Sequence, residues 1–244
     1  MTLWSPPGLN LKAMSLRFRC LILDHDDTAV DSTASIHHPS HLESMRVLRP
    51  GAPAIDLENW FLKNFDPGIM PYLTEELGLT PEELEIEYEI WRRFNRNAVP
   101  SFFPGFLETL RAFRARGGIV TVVSHSEKDV ILRAYRAASD GGQFMPDLVF
   151  GWDFDEGRRK PSPWPVRQIL QRFGLTVEEA LIVDDLKPGV LMSRASGVSV
   201  AAAGWAHRIP RIRAYMRRNC DTYFETIEQF RSYVLGQNPE STLS

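Results

Sequence analysis

Cysteine is almost absent from this sequence: Cys20 and Cys220 are the only 2 among 244 residues. They stand far apart, and neither belongs to a metal-binding or C-x-x-C spacing. A disulfide framework, a thiolate metal cluster and a dithiol redox centre are therefore excluded, and two reduced thiols are expected. Long apolar runs are absent too. No uninterrupted stretch reaches the roughly 18–20 residues that cross a bilayer, and the opening MTLWSPPGLNLKAMSLRFRC lacks the continuous apolar segment of a secretory signal. The expectation is a cytoplasmic protein without a membrane partner. An excess of either charge is also missing: 28 basic against 31 acidic residues leave a net charge of −3 and a pI of about 6.1. That balance gives no global attraction to nucleic acid or to an anionic membrane. Neither an internal repeat nor a low-complexity tract is found.

What is present suits a globular protein with a sizeable core, with 43% hydrophobic and 24% charged residues. Short apolar runs at Cys20–Leu23, Ile119–Val123, 181–183 and 198–203, with a weaker one at Leu148–Phe150, lack clear alternation. Such runs suit strands buried on both faces of a parallel sheet. Helical spacing lies between them, in Phe106-Leu107-Leu110-Phe113 before Gly117-Gly118, in Val130-Ile131-Ala134-Tyr135-Ala138, and in Val166-Ile169-Leu170-Phe173 before Gly174. Ser126 and Asp129 read as a Ser-x-x-Asp cap on the second of these. The alternation predicts an α/β fold, a Rossmann-like open parallel sheet whose ligands bind beyond the carboxyl ends of the strands.

Residues 33–100 break this rhythm. They hold helical stretches at Leu57–Phe65, 70–77 and 82–97 and no convincing strand, separated by Pro50-Gly51, Asp66-Pro67-Gly68 and the turn from Gly78 to Pro81. A helical cap inserted after the first strand accounts for them. The predicted organisation is a core of residues 17–32 and 101–235, a cap of residues 33–100, and loose extensions at 1–16 and 236–244, the latter carrying the frayed tail NPESTLS.

The chemistry-bearing residues gather where the strands end. The first strand runs into Asp24-His25-Asp26-Asp27-Thr28, with 3 acids in four positions. These repel one another unless a proton or cation is present, and a hard divalent cation with oxygen ligands would relieve them; a solvated acidic turn is the plainer alternative. Ser124, at the end of the second strand, offers a hydroxyl beside helix-N-terminal amides, which suits an anion as well as it suits ordinary helix initiation. His125 beside it reads as a flanking polar residue that could also touch substrate. Lys160, in RRKPSPWP, can reach over the sheet edge toward a phosphate or carboxylate, or remain a surface charge. In LIVDDLKPG, Asp184 and Asp185 can complete a cation's oxygen shell or merely open a helix.

In order and placement these four signals resemble the motifs of the haloacid dehalogenase superfamily: Asp24, Asp26 and Thr28; Ser124; Lys160; and Asp184 with Asp185. The resemblance covers roughly residues 17–235 and lies nearest the capped phosphatases of the phosphoglycolate phosphatase and β-phosphoglucomutase kind. It implies that Asp24 is the nucleophile, that Asp26 is the general acid and base, and that Lys160 offsets charge. Ser124, and with it His125, would bind the phosphoryl group. Mg2+ would be held by Asp24, the Asp26 backbone carbonyl and Asp185, with Asp184 in reserve. Asp27 stands where the family commonly has glycine, and Gly189 stands where some members have a further aspartate. The second acid, Asp26, argues for phosphoryl transfer over dehalogenation. The expected substrate is a small phosphate ester. A mutase, a C–P hydrolase using Lys63 as a Schiff base, and a non-catalytic phosphate binder remain the alternatives. In the cap, His37 and His38, with His41 nearby, are expected to face substrate, and Trp91, Arg92 and Arg93 to supply an apolar wall and anion contacts.

Overall fold

The structure is a computed structural model and describes residues 16–139 and 143–236. The extensions expected at 1–16 and 236–244 fall almost wholly outside those residues. Strands β1 (Cys20–Leu23), β2 (Val30–Asp31), β3 (Ser101–Phe102), β4 (Ile119–Val123), β5 (Leu148–Phe150), β6 (Ala180–Asp184), β7 (Ser199–Ala203) and β8 (Thr222–Phe224) form two sheets. The larger has the order β5-β4-β1-β6-β7-β8 and is parallel throughout, so β1 lies in its interior between β4 and β6. Alternate residues of β1 explain its unbroken apolar run. Leu21 and Leu23 pack with Phe106, Leu110, Phe113 and Phe230 on one face. Cys20 and Ile22 pack with Val166, Ile169 and Met192 on the other. Both faces are covered by helices, so neither can be polar. The short edge strand β8 was not anticipated, because Thr222-Tyr223-Phe224 is too brief a run to stand out from its neighbours.

The predicted cap segment lies between β2 and β3, whose two residues each pair antiparallel, Val30 with Phe102 and Asp31 with Ser101. Helices occupy Leu57–Phe65 and Pro81–Asn97, the latter closed by a reciprocal Thr80–Glu83 capping box. A further helix at His38–Leu48 escaped the sequence pattern because its buried face is mostly polar or small, made of Ser40, His41, Ser44 and Met45. The helix expected over 70–77 is instead a short turn at Ile69–Pro71 running into a wide π-type turn at Tyr72–Glu76. The wider turn lets the adjacent Tyr72 and Leu73 both enter the cluster around Trp60. No helix among the described residues is long and apolar enough to cross a membrane.

Two backbone features shape the strand ends. Asp27 adopts φ 55°, a left-handed conformation that aspartate tolerates better than most side chains, and its N–H closes the turn onto the Val30 carbonyl at 2.8 Å. At Gly189 a Cβ would lie 2.2 Å from Cγ of Asp184. Only glycine lets the helix Lys187–Ser196 start this close to that carboxylate. The Ser126–Asp129 cap is not formed: the helix Lys128–Ala138 begins after Glu127 without a side-chain cap, and the Ser126 hydroxyl points elsewhere.

Candidate active site

Parallel pairing of β1 with β6 sets Asp24 beside Asp184 and Asp185 at one end of the sheet, with the Asp24 N–H on the Val183 carbonyl at 2.9 Å. Carboxylate oxygens of these three residues lie within 4.8 Å of one another, and all three side chains are buried. Lys160 reaches into the group, its Nζ 2.6 Å from Asp24 Oδ1 and 2.9 Å from Asp184 Oδ2. The second Asp184 oxygen accepts the Leu186 N–H at 3.0 Å. The Thr28 hydroxyl stands 3.4 Å from Asp24 and 3.3 Å from Asp185 Oδ1, but its one proton can serve only one of them at a time. Asp185 Oδ2 is buried and has no hydrogen-bond partner among the described residues.

Three buried carboxylates against one ammonium leave negative charge uncompensated, and the titration behaviour reflects it. Burial, reinforced by Asp24 but opposed by Lys160, pushes Asp184 up to about 6. Burial and the neighbouring Asp24 and Asp184 push Asp185 well above the usual carboxylate range. Burial works against the Lys160 ammonium, yet Asp184 and Asp24 together hold it above its ordinary value. An all-oxygen, acidic and crowded donor set with one orphaned oxygen fits a hard divalent cation such as magnesium.

Asp26 faces away from this cluster. Its Oδ1 accepts from Ser32 at 2.8 Å and meets His37 Nε2 at 3.0 Å, while its Oδ2 accepts from Ser126 at 2.6 Å and from Ser124 at 3.3 Å. Burial alone would favour the neutral acid, but His37, then His25 and the Ser126 hydroxyl, outweigh it and hold Asp26 below the usual range. Burial disfavours a charged His37, and Asp26 pulls it the other way, raising it. The Trp91 indole N–H donates to His37 Nδ1 at 3.0 Å. An indole can only donate, so this contact needs an Nδ1 without a proton and is given up by the charged ring that Asp26 favours; in either form Nε2–H donates to Asp26.

The remaining expected residues fall into two groups. Ser124 and His37 reach Asp26, whereas His125 and His38 turn their Nε2 atoms to the carbonyls of Lys160 (2.8 Å) and Ile55 (2.9 Å). His125 thus steadies the Lys160 loop, and burial followed by Lys160 itself lowers it to about 4. His41 stacks on Trp60 inside the insertion at 4.3 Å between ring centroids. Lys63 pairs with Glu76 and lies over the Tyr72 ring, which removes the motive for a Schiff-base role. Arg92 lies 3.3 Å from Glu127, which also receives the Tyr88 hydroxyl, so this helix is tied to the core. Arg93 pairs with Glu43 at 3.1 Å.

Sequence reasoning missed Ser32, Ser126 and His207. Ser126 was visible as a hydroxyl just past β4 but was assigned to a helix cap. His207 follows β7, on the side of the sheet where ligands bind, and lies 3.4 Å from Asp185 Oδ2. That strand-end position was the signal available for it.

Comparison with known proteins identifies a family. A family described as haloacid dehalogenase-like hydrolase matches residues 18–197. The phosphoglycolate phosphatase of Aquifex aeolicus is 26% identical over 78% of this chain and 86% of its own length. The pyrophosphatase PpaX of Bacillus velezensis is 25% identical over 78% of this chain and 84% of its own length. Among solved structures, CbbY from Rhodobacter sphaeroides in complex with phosphate superposes with a TM-score of 0.68 at 16% identity, over 87% of this chain and 96% of CbbY. A haloacid dehalogenase-like family protein from Streptococcus pneumoniae does so with a TM-score of 0.68 at 17% identity, over 91% and 99% of the two chains.

Proposed function

The chain belongs to the haloacid dehalogenase-like hydrolase family, and on that premise we propose that it hydrolyses a small phosphomonoester through an aspartyl-phosphate on Asp24, with magnesium as cofactor. The observation that carries this reading is the buried contact of Lys160 with Asp24 and Asp184, set beside the unpartnered oxygen of Asp185. A structural ion pair would satisfy its members; this one leaves acidic oxygen unmatched at the ends of β1 and β6.

Asp24 attacks phosphorus, a carboxylate O–P bond forms, and the bond to the leaving oxygen breaks. Lys160 offsets charge on Asp24 and on the phosphoryl oxygens as they meet. Ser124, now on Asp26, is free to turn its hydroxyl to the phosphoryl group. Asp26 as a carboxylate suits the second step, where it takes a proton from water and water displaces Asp24. For the first step it must carry a proton to the leaving oxygen, which requires it to leave its donors Ser126 and His37. Asp24, the Asp26 backbone carbonyl and Asp185 would hold magnesium, with Asp184 held back by Lys160 and Leu186. When bound there, the ion neutralises charge on the phosphoryl oxygens.

Residues 33–100 act as the cap, and closure over Asp24 favours small soluble esters over polymers. The relatives make 2-phosphoglycolate and pyrophosphate the first substrates to try. Phosphate release from a panel of small phosphate esters and anhydrides, with and without chelator, tests the reading. Chelator-sensitive turnover of at least one small ester supports it. Turnover only of folded phosphoproteins, or full activity in a metal-free sample, contradicts it.

A further inference from the structure

Between the ends of β6, β7 and β8 and the helix Pro210–Asn219, four buried polar atoms lack partners among the described residues around one small cavity: Asp185 Oδ2, both ring nitrogens of His207, and the Tyr223 hydroxyl. Asp185, Gly204, His207, Arg213 and Tyr223 all line that cavity. A buried polar atom without a partner costs stability, so a cluster of them marks a place arranged for something other than folding. The His207 side chain is 8% exposed, and its Nε2 stands 3.4 Å from Asp185 Oδ2 without the alignment of a hydrogen bond. The ring also packs against Phe61 of the helix Leu57–Phe65, 4.9 Å between centroids. Imidazole and carboxylate are complementary donor and acceptor, and a small rotation of either aligns them.

His207 is not among the residues whose ligand atoms converge within 4.8 Å; that group is Asp24, Asp184 and Asp185. It therefore reaches a bound cation through Asp185. Among the described residues the one side chain that hydrogen-bonds Asp185 is Thr28, whose hydroxyl is shared with Asp24. A carboxylate with one shared donor is free to rotate, and a second donor on Oδ2 fixes its plane.

We propose that His207 is a positioning residue for the metal ligand Asp185: its Nε2–H donates to Oδ2, and Phe61 braces the ring from the cap. This rests on the magnesium site proposed above. Residues that orient metal ligands in this way are worth about 10- to 100-fold in affinity.

The test is calorimetric titration of the metal-free full-length protein with Mn2+ alone, followed by displacement with Mg2+. His207→Phe, which keeps the ring but has no donor, should weaken Mn2+ binding about 10-fold or more. His207→Gln, which restores an N–H, should recover most of that loss, and neither variant should shift the urea midpoint in proportion. Wild-type affinity in a folded His207→Phe variant overturns the proposal. If His207→Phe does not fold, His207→Gln decides: near-wild-type affinity supports the proposal, and affinity as weak as that of His207→Ala overturns it. A wild-type protein that binds no Mn2+ removes the metal site itself, a failure distinct from that of His207.

Discussion

The strand-end carboxylates and the histidines His37 and His38 differ in how far their hydrogen bonds are made, although His41, in the same segment as those histidines, has both ring nitrogens buried without a partner among the described residues. At the ends of β1 and β6, Asp24, Asp184 and Asp185 face a single ammonium, and Asp185 Oδ2 has no partner among the described residues. Within residues 33–100, His37 meets Asp26 and Trp91, and His38 meets the Ile55 carbonyl. Unmet electrostatic demand suits the first region to the cation and phosphoryl group proposed for it. Matched demand marks these two histidines as parts that hold something in position: Asp26 for one, the cap backbone for the other. A polar residue near an active site therefore discloses its role less by its type than by whether its hydrogen bonds are already made.

Replacing Lys160 should break this contrast most severely. Lys160→Met removes the single cation and leaves Asp24 and Asp184 buried together, a loss of about 3–5 kcal/mol in unfolding free energy by analogy with other broken buried pairs. Its kcat should fall by about 10²- to 10³-fold, as when a charge-stabilising group is removed. Urea denaturation and steady-state kinetics read both effects.

Asp26 comes next. Ser126→Ala and His37→Phe each remove a donor that holds its carboxylate, so kcat should fall about tenfold, with KM changed less, since general acid–base work contributes about 10²- to 10⁴-fold in all. A rise in KM alone would mean that these groups bind substrate directly.

A subtler effect follows from pH. In the metal-free protein Asp184 is raised to about 6, above its unfolded value of about 4. The folded state then binds the proton more tightly, so this group's contribution is present at low pH and is lost as pH rises through about 6. The unfolding free energy of wild type minus that of Asp184→Asn should therefore decrease between about pH 4 and pH 7, and magnesium should flatten that slope.

The smallest change belongs to His38→Ala. It should leave kcat within about twofold and cost about 1 kcal/mol of stability, the worth of one hydrogen bond to the Ile55 carbonyl. A large kinetic effect would place His38 at the substrate after all.

Much of the core was legible in the sequence because its signals are local. Short apolar runs that stop at a polar residue declare a buried parallel strand and where it ends, so the strand-end positions of Asp24, Ser124, Asp184 and Asp185 were legible in the sequence. Asp27, which stands where the resemblance leads one to expect glycine, takes the left-handed φ of 55° that glycine would adopt freely. The segment of residues 33–100 was less legible. The helix His38–Leu48 buries serines and a histidine, so its periodicity is faint. The partners of His37 and His38 lie 11, 54 and 17 positions away in the chain, a separation that no spacing rule reads. His207 was hidden likewise, since its relation to Asp185 exists only once β6 and β7 lie side by side.

The central claim is a covalent phosphoryl group on Asp24, and trapping it is the most direct test. The enzyme would be mixed with a turned-over substrate carrying radiolabelled phosphorus, quenched in acid within milliseconds, and digested for peptide mapping. The account predicts label on the peptide containing Asp24, released by hydroxylamine as an acyl phosphate should be, and absent from Asp24→Asn. Label on another residue, or undiminished turnover by a verified Asp24→Asn preparation, would contradict it.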